Sequence, residues 1–87
     1  MKHTWKINSI IAKDGKVNPS RVNFFTRNLS FLIGRKDKTF YIISTKNLND
    51  IFKLTPFIEL VKLENDEGVF LIIETKNSIY QFKSNDK

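Results

Sequence analysis

The stretch VFLII at residues 69–73 is the longest apolar run in this 87-residue chain, and it decides the fold. Because side chains of a strand alternate between its two faces, Val69, Leu71 and Ile73 share one face and the two residues between them share the other. A strand that is apolar on both faces requires an interior position with both faces covered. Short helices can cover one face, but the other requires a second sheet, barrel closure or a subunit interface. A homo-oligomer is therefore a further expectation.

Strand patterns flank this stretch on both sides. Runs rich in β-branched and aromatic residues lie at residues 5–11, 29–33, 39–45, 58–64 and 78–83, and residues of these types favour strands. Asp14-Gly15 predicts a tight hairpin after the first run, and residues 34–38 predict a second hairpin with a basic tip. The predicted fold class is α+β and predominantly antiparallel β, with about six short strands in a curled sheet or small barrel.

Two segments predict short helices. Asn18 followed by Pro19 is a typical helix start, and Val22, Phe25 and Leu29 recur at helical spacing. We therefore predict one helix from Pro19 to Asn28, with a strand as the rival interpretation. A second, two-turn helix is predicted from Leu48 to Leu54, where Asn47 would cap the helix and Asp50 would return a capping bond. Pro56 would end it.

The length predicts one small domain over residues 1–87, because two cores cannot be built from so few apolar residues. Residues 84–87 are polar and predict a short frayed tail. No stretch approaches the roughly 20 apolar residues that span a bilayer, and the first residues lack the apolar core of a signal peptide. A cytoplasmic protein that does not enter membranes is the resulting expectation.

The net charge of +6 is unevenly distributed. Residues 1–46 hold ten Lys and Arg against two acidic residues, a net charge of +8, whereas residues 47–87 have a net charge of −2. All three arginines lie in the first half, and a guanidinium binds phosphate in a bidentate manner. Such an asymmetry indicates an anionic partner, either nucleic acid or an acidic protein surface.

The predicted nucleic-acid-binding residues are the basic side chains of this half and one tyrosine. The hairpin tip supplies three of them, and Tyr41 is expected to stay partly exposed so that a base can stack on its ring. The full set is Lys13, Lys16, Arg21, Arg27, Arg35, Lys36, Lys38 and Tyr41.

Most catalytic and metal chemistry lacks the residues it requires. The chain has no cysteine, and its one histidine is His3, so neither a thiolate site nor a histidine cluster is expected. The three glycines lie in separate segments, which excludes a phosphate-binding glycine loop. We expect no cofactor, no metal, no small-molecule substrate and no enzymatic activity. A metal-free ribonuclease that uses Lys, Arg and Tyr remains an open alternative.

The sequence therefore favours a small, non-enzymatic nucleic-acid-binding accessory or regulatory protein. RNA is favoured over duplex DNA because no helix-turn-helix pattern supplies a recognition helix. The alternative is a protein-binding module, such as a phage or mobile-element inhibitor of a host or rival enzyme. Exposed edge strands would then pair with a strand of the partner.

Overall fold

The computed structural model describes residues 4–84 and contains seven strands and one helix in that range. The elements in chain order are β1 (Lys6–Ala12), α1 (Pro19–Arg27), β2 (Phe31–Lys36), β3 (Thr39–Ser44), β4 (Ile51–Lys53), β5 (Phe57–Asn65), β6 (Gly68–Thr75) and β7 (Ser78–Ser84). The helix found within residues 4–84 is not long and apolar enough to cross a membrane. His3 and the predicted tail residues 85–87 lie outside the described range, whereas Ser84 ends β7 and is buried.

The strands form two antiparallel sheets, one with four strands in the order β1-β7-β6-β5 and one with three in the order β2-β3-β4. The prediction of a mostly antiparallel fold is confirmed. The predicted barrel is wrong, because the two sheets do not close on each other. Instead they face each other across a core, and an isolated bridge between Trp5 and Phe31 joins their margins.

Aromatic rings fill the space between the sheets. Phe31 of the small sheet meets Phe82 of the large sheet with ring centroids 5.6 Å apart. Phe25 of α1 contacts Phe52 of the small sheet and Phe82, with centroids 5.9 and 6.3 Å apart. These contacts place α1 against both sheets, so the helix completes the core that the sheets leave open.

The helix predicted from Pro19 to Asn28 is confirmed as α1. The Asn18 side chain accepts a hydrogen bond from the Arg21 N–H at 3.2 Å, and Pro19 occupies the first turn. Asn28 is the C-cap, and its N–H donates to the Phe24 carbonyl at 3.0 Å. The predicted start was correct because Asn-Pro supplies both the cap and the fixed φ that a helix start requires.

The helix predicted from Leu48 to Leu54 is wrong. Residues 51–53 form β4 and pair with β3, with Phe52 opposite Ile42. Asn47 accepts a bond from the Asn49 N–H in a turn, so its side chain caps no helix. A two-turn helix is marginal in water, and pairing with the edge of β3 satisfies the same backbone groups while Phe52 packs against the core.

The turn at Asp14-Gly15 forms without the predicted hairpin. Gly15 has a φ of 71°, and its N–H donates to the Ala12 carbonyl at 3.0 Å. The chain then enters α1, and β1 pairs with the distant β7, with Ile10 opposite Tyr80. A turn signal predicts the reversal but not the strand that completes the pairing.

The VFLII stretch lies in β6, an interior strand of the large sheet. Val69 and Ile73 are buried against the core, whereas Phe70 and Ile72 lie on the opposite, outer face and are half-buried. The outer faces of both sheets are therefore the surfaces on which a site can be built.

Candidate nucleic-acid interface

Structural partners hold four of the predicted basic residues, namely Lys13, Arg21, Arg27 and Arg35. Arg27 binds Asp50 through a bidentate pair in which Nε and Nη2 donate at 3.0 and 2.9 Å. Lys13 pairs with Glu74 at the margin of the large sheet. Arg21 is buried, and its Nη1 donates to the Ser78 and Tyr80 hydroxyls.

The Arg27–Asp50 pair perturbs both ionisable groups. The hydrogen bonds from Arg27 and then from Asn28 lower the pKa of Asp50 below its ordinary value. The same pair raises the pKa of Arg27. Because a bidentate pair fixes both side chains, Arg27 is committed to joining α1 to the turn before β4.

The basic hairpin tip is shorter than predicted. β2 and β3 are joined by Asp37 and Lys38, and Asp37 has a φ of 56°. Arg35 and Lys36 therefore belong to β2, and their side chains lie on opposite faces of the small sheet. The Arg35 guanidinium lies over the Phe57 ring at 5.0 Å, and its Nε donates to the Asp37 carbonyl at 2.8 Å.

Of the remaining predicted residues, Lys36 and Tyr41 lie on the outer face of the small sheet, which we call the tyrosine face, and Lys38 lies in the adjoining turn, whereas Lys16 lies away from this face in the segment before α1. Gly34, Tyr41 and Lys53 form one row across the three strands. Lys36 and Thr39 form the next row toward the hairpin turn, followed by Lys38 in the turn itself. Leu32, Ile43 and Ile51 form the row on the other side of the tyrosine.

Tyr41 is half-buried, as the sequence predicts for a stacking residue. Its neighbour in β2 is Gly34, which has no positive φ and therefore does not require glycine for backbone reasons. A Cβ at Gly34 would meet Ile43 at 3.6 Å, which is an ordinary contact on this outer face. Gly34 therefore adds no side chain of its own beside the tyrosine ring.

The charge of the tyrosine face is positive. Lys36, Lys38 and Lys53 are exposed, and among the described residues none of the three forms an ion pair. The rows on this face carry no acidic residue, and Asp37 is confined to the turn. The face thus combines one aromatic ring with cations on two sides of it.

Sequence reasoning missed two residues of this face. The predicted helix from Leu48 to Leu54 contains Lys53, although β-branched Ile51 and aromatic Phe52 also favour a strand. Gly34 was assigned to the turn. Pairing with β3 is what brings both residues beside Tyr41.

Residues 4–84 contain no group of three or more His, Cys, Asp or Glu side chains placed to hold a metal ion. In comparisons with protein families, curated proteins and solved structures, the chain matches no family model, no curated protein and no solved structure. Functional inference therefore depends on the geometry alone.

Proposed function

We propose that this protein binds single-stranded nucleic acid, with RNA favoured, on the tyrosine face. The observation that carries the proposal is the half-buried Tyr41 beside Gly34, with lysines in its own row and the next that form no ion pair within residues 4–84. Proteins that bind single strands combine an aromatic stacking platform with a basic track for the backbone. The ring accepts a base, and Lys36 and Lys53 contact the phosphates on either side.

The position of α1 supports a single strand over a duplex. Phe24 and Phe25 are buried between the sheets, and Arg21 and Arg27 are held by internal partners. The helix therefore does not offer a basic recognition surface for a major groove. A sheet face with a stacking residue suits unpaired bases instead.

The test is fluorescence anisotropy with a labelled single-stranded RNA and the matching duplex. Tyr41→Ala is expected to weaken single-strand binding by about 1–3 kcal/mol, the usual value of one stacked base. Tyr41→Phe keeps the ring and is expected to bind as the wild type does. Gly34→Thr adds a side chain beside the ring and is expected to weaken binding without changing charge. Equal affinity of Tyr41→Ala and Tyr41→Phe contradicts the proposal.

A second candidate function is weak self-association through the outer face of the large sheet. Exposed or half-buried apolar side chains cross this face along a diagonal from Leu63 and Phe70 through Ile72 to Ile79 and Ile11. Ile11 and Leu63 expose 56% and 50% of their surface, more than a covered sheet face leaves open.

Like charges pair at the two other corners of this face. Glu59 lies opposite Glu74, and Lys6 lies opposite Lys83. Like charges directly across a strand pair are unfavourable. A second copy rotated about a twofold axis along the apolar diagonal would place its lysine corner on the acidic corner of the first.

The area limits the strength of such a dimer. Four strands and three rows give a patch about 15 Å on each side, well below the ~800 Å² per partner of a standard interface. Sedimentation at rising concentration is expected to show weak dimerisation that Glu59→Lys abolishes and that Glu59→Lys combined with Lys6→Glu restores. A monomer at every concentration contradicts this second candidate.

A further inference from the structure

We propose that a cavity floored by Arg21 is a binding site for a phosphate group. The cavity has a volume of about 240 Å³ and lies between α1, the end of β4 and the β6–β7 turn. Its floor includes Arg21, Ser78 and Tyr80, and its wall includes Lys16 and Lys53. The proposal uses none of the stacking residues of the tyrosine face, although Lys53 borders both surfaces.

Arg21 is a buried cation whose partners among the described residues are neutral. It exposes only 8% of its surface, and its Nη1 donates to Ser78 Oγ at 2.8 Å and Tyr80 Oη at 3.2 Å. No carboxylate of residues 4–84 forms an ion pair with it. A buried charge without a counter-charge costs free energy, and an anion in the cavity would remove that cost.

The Nε–Nη2 edge of Arg21 is the part of the guanidinium that binds anions in a bidentate manner. No hydrogen bond to a described residue uses Nε or Nη2 of Arg21. Among the buried described residues, every side-chain nitrogen that lacks a hydrogen-bond partner is in contact with solvent. These two nitrogens are therefore accessible to solvent, and Arg21 lines both this cavity and a neighbouring one beside β1 and the start of α1.

In the other two arginines the guanidinium edge that contains Nε has hydrogen-bond partners. Arg27 uses its Nε–Nη2 edge to hold the two carboxylate oxygens of Asp50 at 3.0 and 2.9 Å. Arg35 donates its Nε to the Asp37 carbonyl at 2.8 Å. Arg21 is the arginine whose Nε has no partner among residues 4–84, although it is the most buried of the three.

The hydroxyls on the floor favour phosphate over a carboxylate. Ser78 and Tyr80 each accept a bond from Arg21, so the proton of each hydroxyl is directed to another acceptor. Together with the Arg21 edge these groups offer four donors, which a carboxylate matches only by using every lone pair of its two oxygens, whereas phosphate distributes them over more oxygens.

The charge around the cavity agrees with an anionic ligand. Arg21 and Lys16 line the cavity as cations, against one carboxylate from Asp14, whereas Lys53 lines it at the end of β4 and its side chain lies on the tyrosine face. That carboxylate already accepts a bond from the Lys16 backbone N–H at 2.9 Å. The volume is below the ~300–1,000 Å³ of a drug-sized pocket, so inorganic phosphate or a small phosphate ester fits the site best.

The experiment follows the arginine Nε–H signals by ¹⁵N NMR while inorganic phosphate is added at constant ionic strength. The Arg21 signal is expected to shift and saturate, while those of Arg27 and Arg35 stay in place because their Nε groups have partners. Sodium chloride at the same ionic strength is the control. No selective shift of the Arg21 signal at tens of millimolar phosphate overturns the proposal.

Variants separate ligand binding from a purely structural role of Arg21. Lys16→Gln alters an exposed residue only and is expected to weaken phosphate binding severalfold while the fold persists. Arg21→Gln is expected to abolish it, and Arg27→Gln is expected to leave it unchanged. If Arg21→Gln does not fold, the wild-type titration and the lysine variant still decide the question.

A final comparison identifies the source of the phosphate. Adenosine 5′-monophosphate is expected to shift the Arg21 signal, and adenosine is not; equal shifts by both overturn the proposal. Single-stranded RNA with and without a 5′-phosphate is then compared in Tyr41→Ala. If the Arg21 signal of this variant shifts only with the 5′-phosphorylated RNA, the cavity binds the 5′ end of a strand, and this binding does not depend on stacking against Tyr41. A shift with the free monophosphate alone identifies a small phosphate ester.

Discussion

The lysines of the tyrosine face make a prediction about salt dependence. Lys36, Lys38 and Lys53 are exposed and unpaired within the described residues, so each is available to one phosphate. Neutralising all three as Lys36→Gln, Lys38→Gln and Lys53→Gln keeps the length of each side chain and removes its charge. The perturbation therefore acts on the electrostatic part of binding and leaves Tyr41 in place.

The magnitude follows from counterion release. Each phosphate contact on a single strand contributes about 0.7 to the slope of log affinity against log salt, so three contacts contribute about 2. Between 50 and 200 mM salt, that part of the slope weakens wild-type binding by about 20-fold, and the triple variant lacks this loss. The two affinities are expected to converge as salt rises, because the stacking contribution of Tyr41 is common to both.

The assay is anisotropy with labelled single-stranded RNA at four or more salt concentrations. Lys62→Gln is the matched control, since Lys62 is an exposed lysine on β5 of the other sheet. It is expected to leave the slope unchanged if β5 lies outside the binding surface. A triple variant with the wild-type slope, or a Lys62→Gln slope lowered as much per charge, refutes the assignment of phosphate contacts to the tyrosine face.

Three further predictions concern stability. The hydrogen bonds to the Asp50 carboxylate lower its pKa in the folded state. Their contribution to stability is therefore present above the unfolded pKa of about 3.9 and is lost as pH falls through the lower folded value. Urea unfolding is expected to show Asp50→Asn less stable than wild type at pH 6, with the difference shrinking near pH 2. Phe82→Ala removes a fully buried ring between the sheets and is expected to lower the free energy of unfolding by about 3–5 kcal/mol, which is most of the stability of a domain this small. Phe57→Ala, at the half-buried margin of the core, is expected to cost less, and urea unfolding followed by circular dichroism measures both. Asp37→Gly relieves a positive φ and is expected to stabilise the β2–β3 hairpin by roughly 1 kcal/mol, and thermal unfolding that shows no gain contradicts this explanation of the turn.

The elements predicted correctly have signals confined to a few adjacent residues. Asn18-Pro19 specifies a helix start because the cap and the fixed φ belong to neighbouring residues. The run of β-branched and aromatic residues at Thr39–Ser44 similarly specifies β3. The segment from Leu48 to Leu54 carries a capping pattern that competes with a strand pattern, and its sequence does not contain the β3 edge that decides between them.

The same distinction between local sequence features and contacts of distant residues applies to the candidate sites. Tyr41 and the basic hairpin were visible in the sequence because an aromatic strand residue and a charged turn are local features. The burial of Arg21 is not visible in the sequence, because its partners Ser78 and Tyr80 lie 57 and 59 positions away along the chain. The neutralisation of Arg27 by Asp50 depends equally on a contact between residues 23 positions apart.

The sequence by itself determined that the chain is a mostly antiparallel β protein with a basic first half and a capped helix that begins at Pro19. It also determined that the VFLII stretch occupies an interior strand, because alternation and apolarity act within one strand. The tertiary structure alone decided that there are two sheets, that the basic residues divide between a face, a cavity and ion pairs, and that Lys53 joins Tyr41. Pairing register and burial depend on distant strands, whose positions no local pattern encodes.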